Sequence, residues 1–248
     1  MNSREDTVSV LGYRVARVSL EEAADWTLAR CRAGEPPVLV VTLNPEIVVR
    51  ARKDARLEAA LQSSGLTVAD GVGVVWAARR AGAVLPGRVP GVELAARLLE
   101  LGGPRLSVFY LGAKPGVAER AAAASSERWG TDTAGVRHGY FDHEREGAKV
   151  AAEVRASGAD LVLAGLGEAQ EVFLHEHRMA LGAGVLIGVG GTLDVLAGEA
   201  ARTPEWTRRL GVEWLWRVGL DPARWHRFPR LLGFARLVLS ERGRVRRS

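Results

Sequence analysis

Thr42, Asn44 and Glu46 lie within five residues of one another, directly after the apolar run Val38-Leu39-Val40-Val41. Asp70 follows a second such run, Leu66-Thr67-Val68-Ala69. A strand buried on both faces reads as a near-continuous apolar stretch. In an open parallel sheet, ligands bind in the crevice outside the carboxyl ends of the strands. Two successive strands are therefore expected to deliver a hydroxyl, a carboxamide and a carboxylate to one crevice. A carboxylate so placed can take a proton from a substrate hydroxyl. A structural reading stands beside this one. Thr42 and Asn44 can cap a helix that starts near Pro45, and Asp70 can cap one that starts after Gly71.

The elements that must position these groups alternate. After a short extended pair, Val8–Val10 and Arg14–Val18, a helix is predicted over Leu20–Arg32, with Ser19 as N-cap and Glu22 at capping-box spacing. Further strands are predicted at Leu106–Leu111, Thr133–Arg137, Asp160–Ala164 and Val185–Val189. Helices are predicted between them at Ile47–Ser63, Val72–Ala81, Val92–Leu101, Val117–Arg128, Arg145–Ala156 and Ala169–Leu181. This pattern argues for an α/β fold: a Rossmann-like, mostly parallel sheet flanked by helices. The strand pattern stops near Gly198–Pro204. A core over residues 1–198 and a basic, helical, Arg/Trp-rich C-terminal appendage over residues 199–248 are expected to complete one active site.

The charge changes sign at that boundary. From Arg202 to Ser248 there are twelve arginines and no lysine against Glu205, Glu213, Asp221 and Glu241, a net of +8. Residues 1–201 therefore carry −3 of the chain's +5. Trp206, Trp214, Trp216 and Trp225 fall in the same tail. Arginine with tryptophan suits an anionic membrane surface, where cations meet lipid phosphates and indoles sit at headgroup depth. It also suits nucleic acid, and a solvated basic terminus is the plain alternative. The polar stretch Met1–Asp6 has no apolar signal core, so a cytoplasmic protein is expected. The single cysteine, Cys31, permits no intrachain disulfide and is expected as a core thiol on a helix.

Glycines punctuate the strand ends: Leu111-Gly112-Ala113-Lys114-Pro115-Gly116, Gly165-Leu166-Gly167 and Gly188-Val189-Gly190-Gly191. Such turns bring backbone N–H groups close to a phosphate. No GxGxxG opens the first β–α unit and no GxxxxGK[ST] occurs, which speaks against a standard dinucleotide fold and a P-loop NTPase. His138, His143, His175, His177 and His226 show no HExxH or zinc spacing, and His175 and His177 are expected on the surface. Glu171 follows Gln170 at a predicted helix start, where an acid complements the helix dipole.

The motifs together resemble the WecG/TagA/CpsF glycosyltransferases. The matching segments are Thr42-Leu43-Asn44-Pro45-Glu46, Ala69-Asp70-Gly71-Val72-Gly73-Val74-Val75, Arg88-Val89-Pro90-Gly91, the glycine turn at Gly112–Gly116 and Gly139-Tyr140-Phe141. They continue with Gly165-Leu166-Gly167, Gln170-Glu171, Gly188–Asp194, Arg202-Thr203-Pro204-Glu205-Trp206, Glu213-Trp214-Leu215-Trp216-Arg217, Asp221-Pro222-Ala223-Arg224 and Arg227. The resemblance spans about residues 8–235. One departure stands out: where the family usually has Pro-Lys before the Gln-Glu pair, this chain has Glu168-Ala169 and a loop one residue shorter.

The resemblance implies inverting, metal-independent transfer of a sugar from a UDP-sugar to a lipid-diphosphate-linked sugar acceptor. In the best-studied branch the donor is UDP-N-acetylmannosamine. The acceptor there is N-acetylglucosamine on undecaprenyl diphosphate, and the product feeds wall teichoic acid or another surface glycan. The work is done peripherally on the inner face of the cell membrane, without cofactor or metal and without nucleic acid. Asp70 is then the base, Thr42 orients the acceptor and Arg88 is a third catalytic residue. Asn44, Tyr140, Gln170 and Asp194 form the nucleotide-sugar pocket. Arg217, Arg224 and Arg227, spaced by seven and three, share one helix face and can neutralise a leaving diphosphate. The oligomeric state is open, a homo-oligomer included. A nucleic-acid-binding module, a methyltransferase and a dehydrogenase are the alternatives. The first has no use for Asp70, and the last lacks its glycine fingerprint.

The tail's charge makes a direct prediction. With roughly 1 kcal/mol of attraction per basic residue near an anionic surface, the protein should sediment with anionic liposomes at low salt and release as salt rises. Equal binding to neutral and anionic liposomes would remove the electrostatic role of the tail.

Overall fold

The computed structural model describes residues 6–200 and 228–240. A short antiparallel pair, β1 (Thr7–Val10) and β2 (Tyr13–Ala16), opens the chain. The helix α1 (Leu20–Cys31) follows, and Ser19 and Glu22 close the expected capping box. Then come β3 (Val38–Leu43), α2 (Pro45–Ala51), α3 (Ala55–Gln62), β4 (Leu66–Ala69), α4 (Val72–Arg80) and α5 (Gly91–Gly102). They are followed by β5 (Ser107–Gly112), α6 (Val117–Trp129), β6 (Asp132–Arg137) and α7 (His143–Ser157). Next are β7 (Leu161–Gly165), α8 (Gln170–Glu176), α9 (Arg178–Leu181), β8 (Val185–Gly188) and α10 (Thr192–Leu196). The helix α11 (Phe228–Ser240) is the last element described.

The six strands β3–β8 form one sheet in the order β4-β3-β8-β7-β5-β6, and every pairing is parallel. Successive side chains of a strand point to opposite faces, and the two halves of the core follow that alternation. Leu39, Val41 and Leu43 pack with α2, α3, α4, α7, α8 and α11. Val40 packs on the other face with α1, α5, α6 and α10. The expected parallel α/β sheet covered on both sides is therefore the fold. Cys31 is buried, as expected, and burial pushes its thiol up to about 12.

Two predicted helices are each broken in two. The stretch Ile47–Ser63 ends as α2 at Ala51 and restarts as α3, because Asp54 turns its carboxylate onto the N–H groups of Arg56 and Leu57 and caps a new helix. The stretch Ala169–Leu181 breaks at His177 into α8 and α9. Neither His175 nor His177 is the exposed residue expected, and the two point to different sides. His175 Nδ1 is 2.8 Å from the Ser63 hydroxyl, and His177 stacks at 4.7 Å on Phe173.

The helix α11 belongs to this core. It packs on α2, and Phe234 and Val238 are buried among the residues of α2 and α4. Arg230 on α11 pairs with Glu168 at 2.5 Å and reaches Glu46 at 4.0 Å. Exposed ion pairs contribute little, so the apolar contact dominates the attachment. Phe234→Ala should destabilise the protein by about 3 kcal/mol, the usual range for truncating a buried aromatic. Urea unfolding checks this; a change under about 0.5 kcal/mol, typical of surface sites, would mean that α11 is not part of the cooperative core.

Candidate active site

A cavity of about 460 Å³ opens at the carboxyl ends of β3, β4 and β8. Its position follows from the connections. The chain leaves β3 for helices on one face, and it leaves β8 for α10 on the other. Such a reversal opens a crevice between neighbouring strands. Thr42, Asn44, Asp70, Arg88, Gln170 and the Gly188–Thr192 turn all line it. The helices α4 and α5 both begin at its wall, so the positive ends of their dipoles favour an anion there.

Thr42 and Asp70 meet at one point, the first residue of α5. Thr42 is nearly buried and pairs across the sheet with Val68, two residues before Asp70. A Cβ added to Gly91 would stand 3.2 Å from the Thr42 hydroxyl oxygen, so a side chain there would crowd Thr42. The Gly91 N–H also makes a long contact, 3.5 Å, to Asp70 Oδ2. Asp70 does not cap α4: the N-cap is Gly71, at φ +88°, a conformation that suits glycine, and no side chain bonds that helix end. Arg88 stands in the same wall, 4.0 Å from Glu93.

Asn44 is the helix cap expected of it, and it also lines the cavity. Its side chain accepts from the Ile47 N–H at 3.0 Å and caps α2. Gln170 is buried, and its carboxamide accepts from the Gly190 N–H at 2.9 Å. The remaining predicted residues are not brought in. Tyr140 follows the edge strand β6, is 66% exposed and is absent from the cavity lining. Asp194 sits one turn into α10 beside the lining residues Thr192 and Val195, without lining the cavity itself. Arg217, Arg224 and Arg227 lie outside the described residues.

Sequence reasoning passed over the far wall. Leu231, Phe234 and Ala235 of α11 close it, facing Val72 and Trp76 of α4. The apolar spacing Leu231, Phe234, Ala235, Val238 at helical period was the available signal. Glu171 was passed over as a dipole complement. It is buried, and that burial raises its carboxyl above the usual carboxylate range. Among the described residues no three His, Cys, Asp or Glu side chains cluster to hold a metal ion.

Comparison with known proteins adds a second line of evidence. The sequence pattern of the glycosyl transferase WecG/TagA/CpsF family matches residues 8–248. Three relatives carry the name N-acetylglucosaminyldiphosphoundecaprenol N-acetyl-beta-D-mannosaminyltransferase. That of Bacillus spizizenii is 34% identical over 203 residues, 81% of this chain and 78% of its own. That of Bacillus subtilis is 34% identical over 206 residues, 82% and 79%. That of Staphylococcus aureus is 35% identical over 196 residues, 78% and 75%.

The capping bond of Asn44 gives a stability prediction. Asn44→Ala should cost about 1 kcal/mol, read as a lower thermal midpoint, and Asn44→Asp should restore most of it. Equal midpoints for Asn44→Ala and the parent would show that the bond adds nothing to stability.

Proposed function

The chain belongs to the glycosyl transferase WecG/TagA/CpsF family, and from that premise we propose that it moves N-acetylmannosamine from a UDP-sugar to N-acetylglucosamine on undecaprenyl diphosphate. The names of the three relatives support the choice of sugar and acceptor. The observation that carries the chemistry is the meeting of Asp70 and Thr42 at Gly91, in the wall of a cavity that also holds Arg88.

In this reading Asp70 takes the proton from the acceptor hydroxyl as its oxygen attacks the anomeric carbon of the donor. The bond from that carbon to the diphosphate oxygen breaks, UDP leaves, and the configuration inverts. Thr42 orients the acceptor hydroxyl beside the base. The departing diphosphate gains negative charge, which preorganised cations and helix N-termini stabilise. Arg88 and the starts of α4 and α5 supply part of this, and Arg217, Arg224 and Arg227 supply the rest. No metal is required. Asn44 and Gln170 hold the sugar end of the donor. Tyr140 and Asp194 serve its nucleotide end, which lies along the sheet rim toward β6. Four strand spacings from β3 amount to about 19 Å, the scale of an extended nucleotide sugar.

Among the described residues no helix is long and apolar enough to cross a membrane. The acceptor is itself lipid-anchored, so the enzyme works peripherally at the inner membrane face, held by its basic tail. The product enters wall teichoic acid or a related surface glycan.

Asp70→Asn should keep the fold and UDP binding and lower kcat by on the order of 10²–10⁴, the usual contribution of a general base. Near-normal turnover in that variant would remove Asp70 from the mechanism. Turnover should also survive excess EDTA with less than about a twofold change. Loss of activity on chelation, restored by Mg²⁺ or Mn²⁺, would transfer leaving-group stabilisation from arginine to a metal.

A further inference from the structure

Gln170 and Glu171 begin α8 as a buried pair behind the cavity. Gln170 Oε1 accepts from the Gly190 main-chain N–H at 2.9 Å, and its Nε2 donates to Glu171 Oε1 at 2.7 Å. These two bonds fix which way the carboxamide faces, because a main-chain N–H can only donate and Glu171 Oε1 accepts. The carboxamide lies flat on Gly188, where an added Cβ would come within 2.7 Å of Nε2. Gln170, Gly188 and Gly190 line the cavity, whereas Glu171 does not.

The second Glu171 oxygen, Oε2, is buried with no hydrogen-bond partner. Such a group is costly, and an apolar side chain of similar volume would avoid that cost. A carboxyl that touches no ligand, and is left half-satisfied, needs a reason other than stability. Its bond to Gln170 supplies one. Burial pushes the carboxyl toward its neutral form, while the Gln170 bond, the residue's own main-chain N–H and the nearby Arg50 charge pull the other way. In either form Oε1 accepts from Gln170.

We infer that Glu171 is a positioning residue: it locks the Gln170 carboxamide so that one Nε2–H and one Oε1 lone pair remain for a ligand in the cavity. A donor and an acceptor side by side match a sugar hydroxyl, which does both. The inference rests on the proposed reading that the cavity takes the sugar of a UDP-sugar.

Steady-state transfer kinetics of the full chain test it, with UDP-N-acetylmannosamine and a short-chain lipid-diphosphate-N-acetylglucosamine, alongside thermal midpoints. Glu171→Met, which keeps volume and removes the polar atoms, should raise the KM for the UDP-sugar on the order of tenfold with little change in kcat. Its thermal midpoint should be equal or higher. Gln170→Ala should raise KM similarly, and adding Glu171→Met to Gln170→Ala should change it less than about twofold. Glu171→Gln keeps an acceptor oxygen and should stay within about twofold of the parent KM. Additive effects of Glu171→Met and Gln170→Ala, or a Glu171→Gln variant as impaired as Glu171→Met, overturn the inference. If Glu171→Met does not fold, Glu171→Gln against Gln170→Ala decides: near-parent KM supports it and an equal rise overturns it. A parent protein that transfers from no UDP-sugar overturns the underlying reading itself, a failure visible before any variant is made.

Discussion

Everything at this site depends on a switch of sheet face between the connections that leave β3 and β8. These two strands are parallel neighbours, yet the helices that follow them pack on opposite faces of the sheet. No connection can cover the gap between their carboxyl ends, so a cavity opens there. Thr42 and Asn44 leave from β3, Asp70 from β4, and the Gly188–Gly191 turn from β8. The groups that could react are therefore placed by sheet topology, and side-chain packing only refines them. The refinement is visible at Gly91, the start of α5, where an added Cβ would crowd the Thr42 hydroxyl and the N–H points at the Asp70 carboxylate at 3.5 Å.

The cavity is closed on its other side by an element distant in sequence. The helix α11 inserts Phe234 beside Pro45 and Gly73, at the start of α2 and α4. Its Arg230 meets Glu168 and Glu46, and Arg50 pairs with Glu168 as well. Glu168 thus places an acid where α11 docks. A cut after Gly198 would remove Phe234 and Val238 from the core and unroof the cavity, so the C-terminal segment bears on both stability and the site.

The parallel sheet was legible in the sequence because strands covered on both faces are continuously apolar, as in Val38–Val41 and Leu161–Ala164. Asp70 and Thr42 were legible because they end such runs. What stayed hidden depended on contacts between distant residues. Asp54 splitting one helix is a local competition between capping and continuation, and periodicity alone does not resolve it. Glu171 reads as an ordinary first-turn acid until its burial against β8 is known. Tyr140 and Asp194 share strand-end positions with the cavity residues, but neither lines the cavity: Tyr140 follows the edge strand β6, and Asp194 sits beside the lining residues Thr192 and Val195. The resemblance to a glycosyltransferase family was readable because many short motifs occur in one order, and the match across residues 8–248 bears it out.

The central claim is that a carboxylate at the end of β4 drives direct displacement at an anomeric carbon. The anomeric configuration of the product tests it most directly. The protein is incubated with α-linked UDP-N-acetylmannosamine and lipid-diphosphate-N-acetylglucosamine, and the new linkage is read by NMR. A single displacement assisted by Asp70 predicts a β-linked disaccharide. An α-linked product would require a different mechanism, and no product from this pair would contradict the assignment of donor and acceptor.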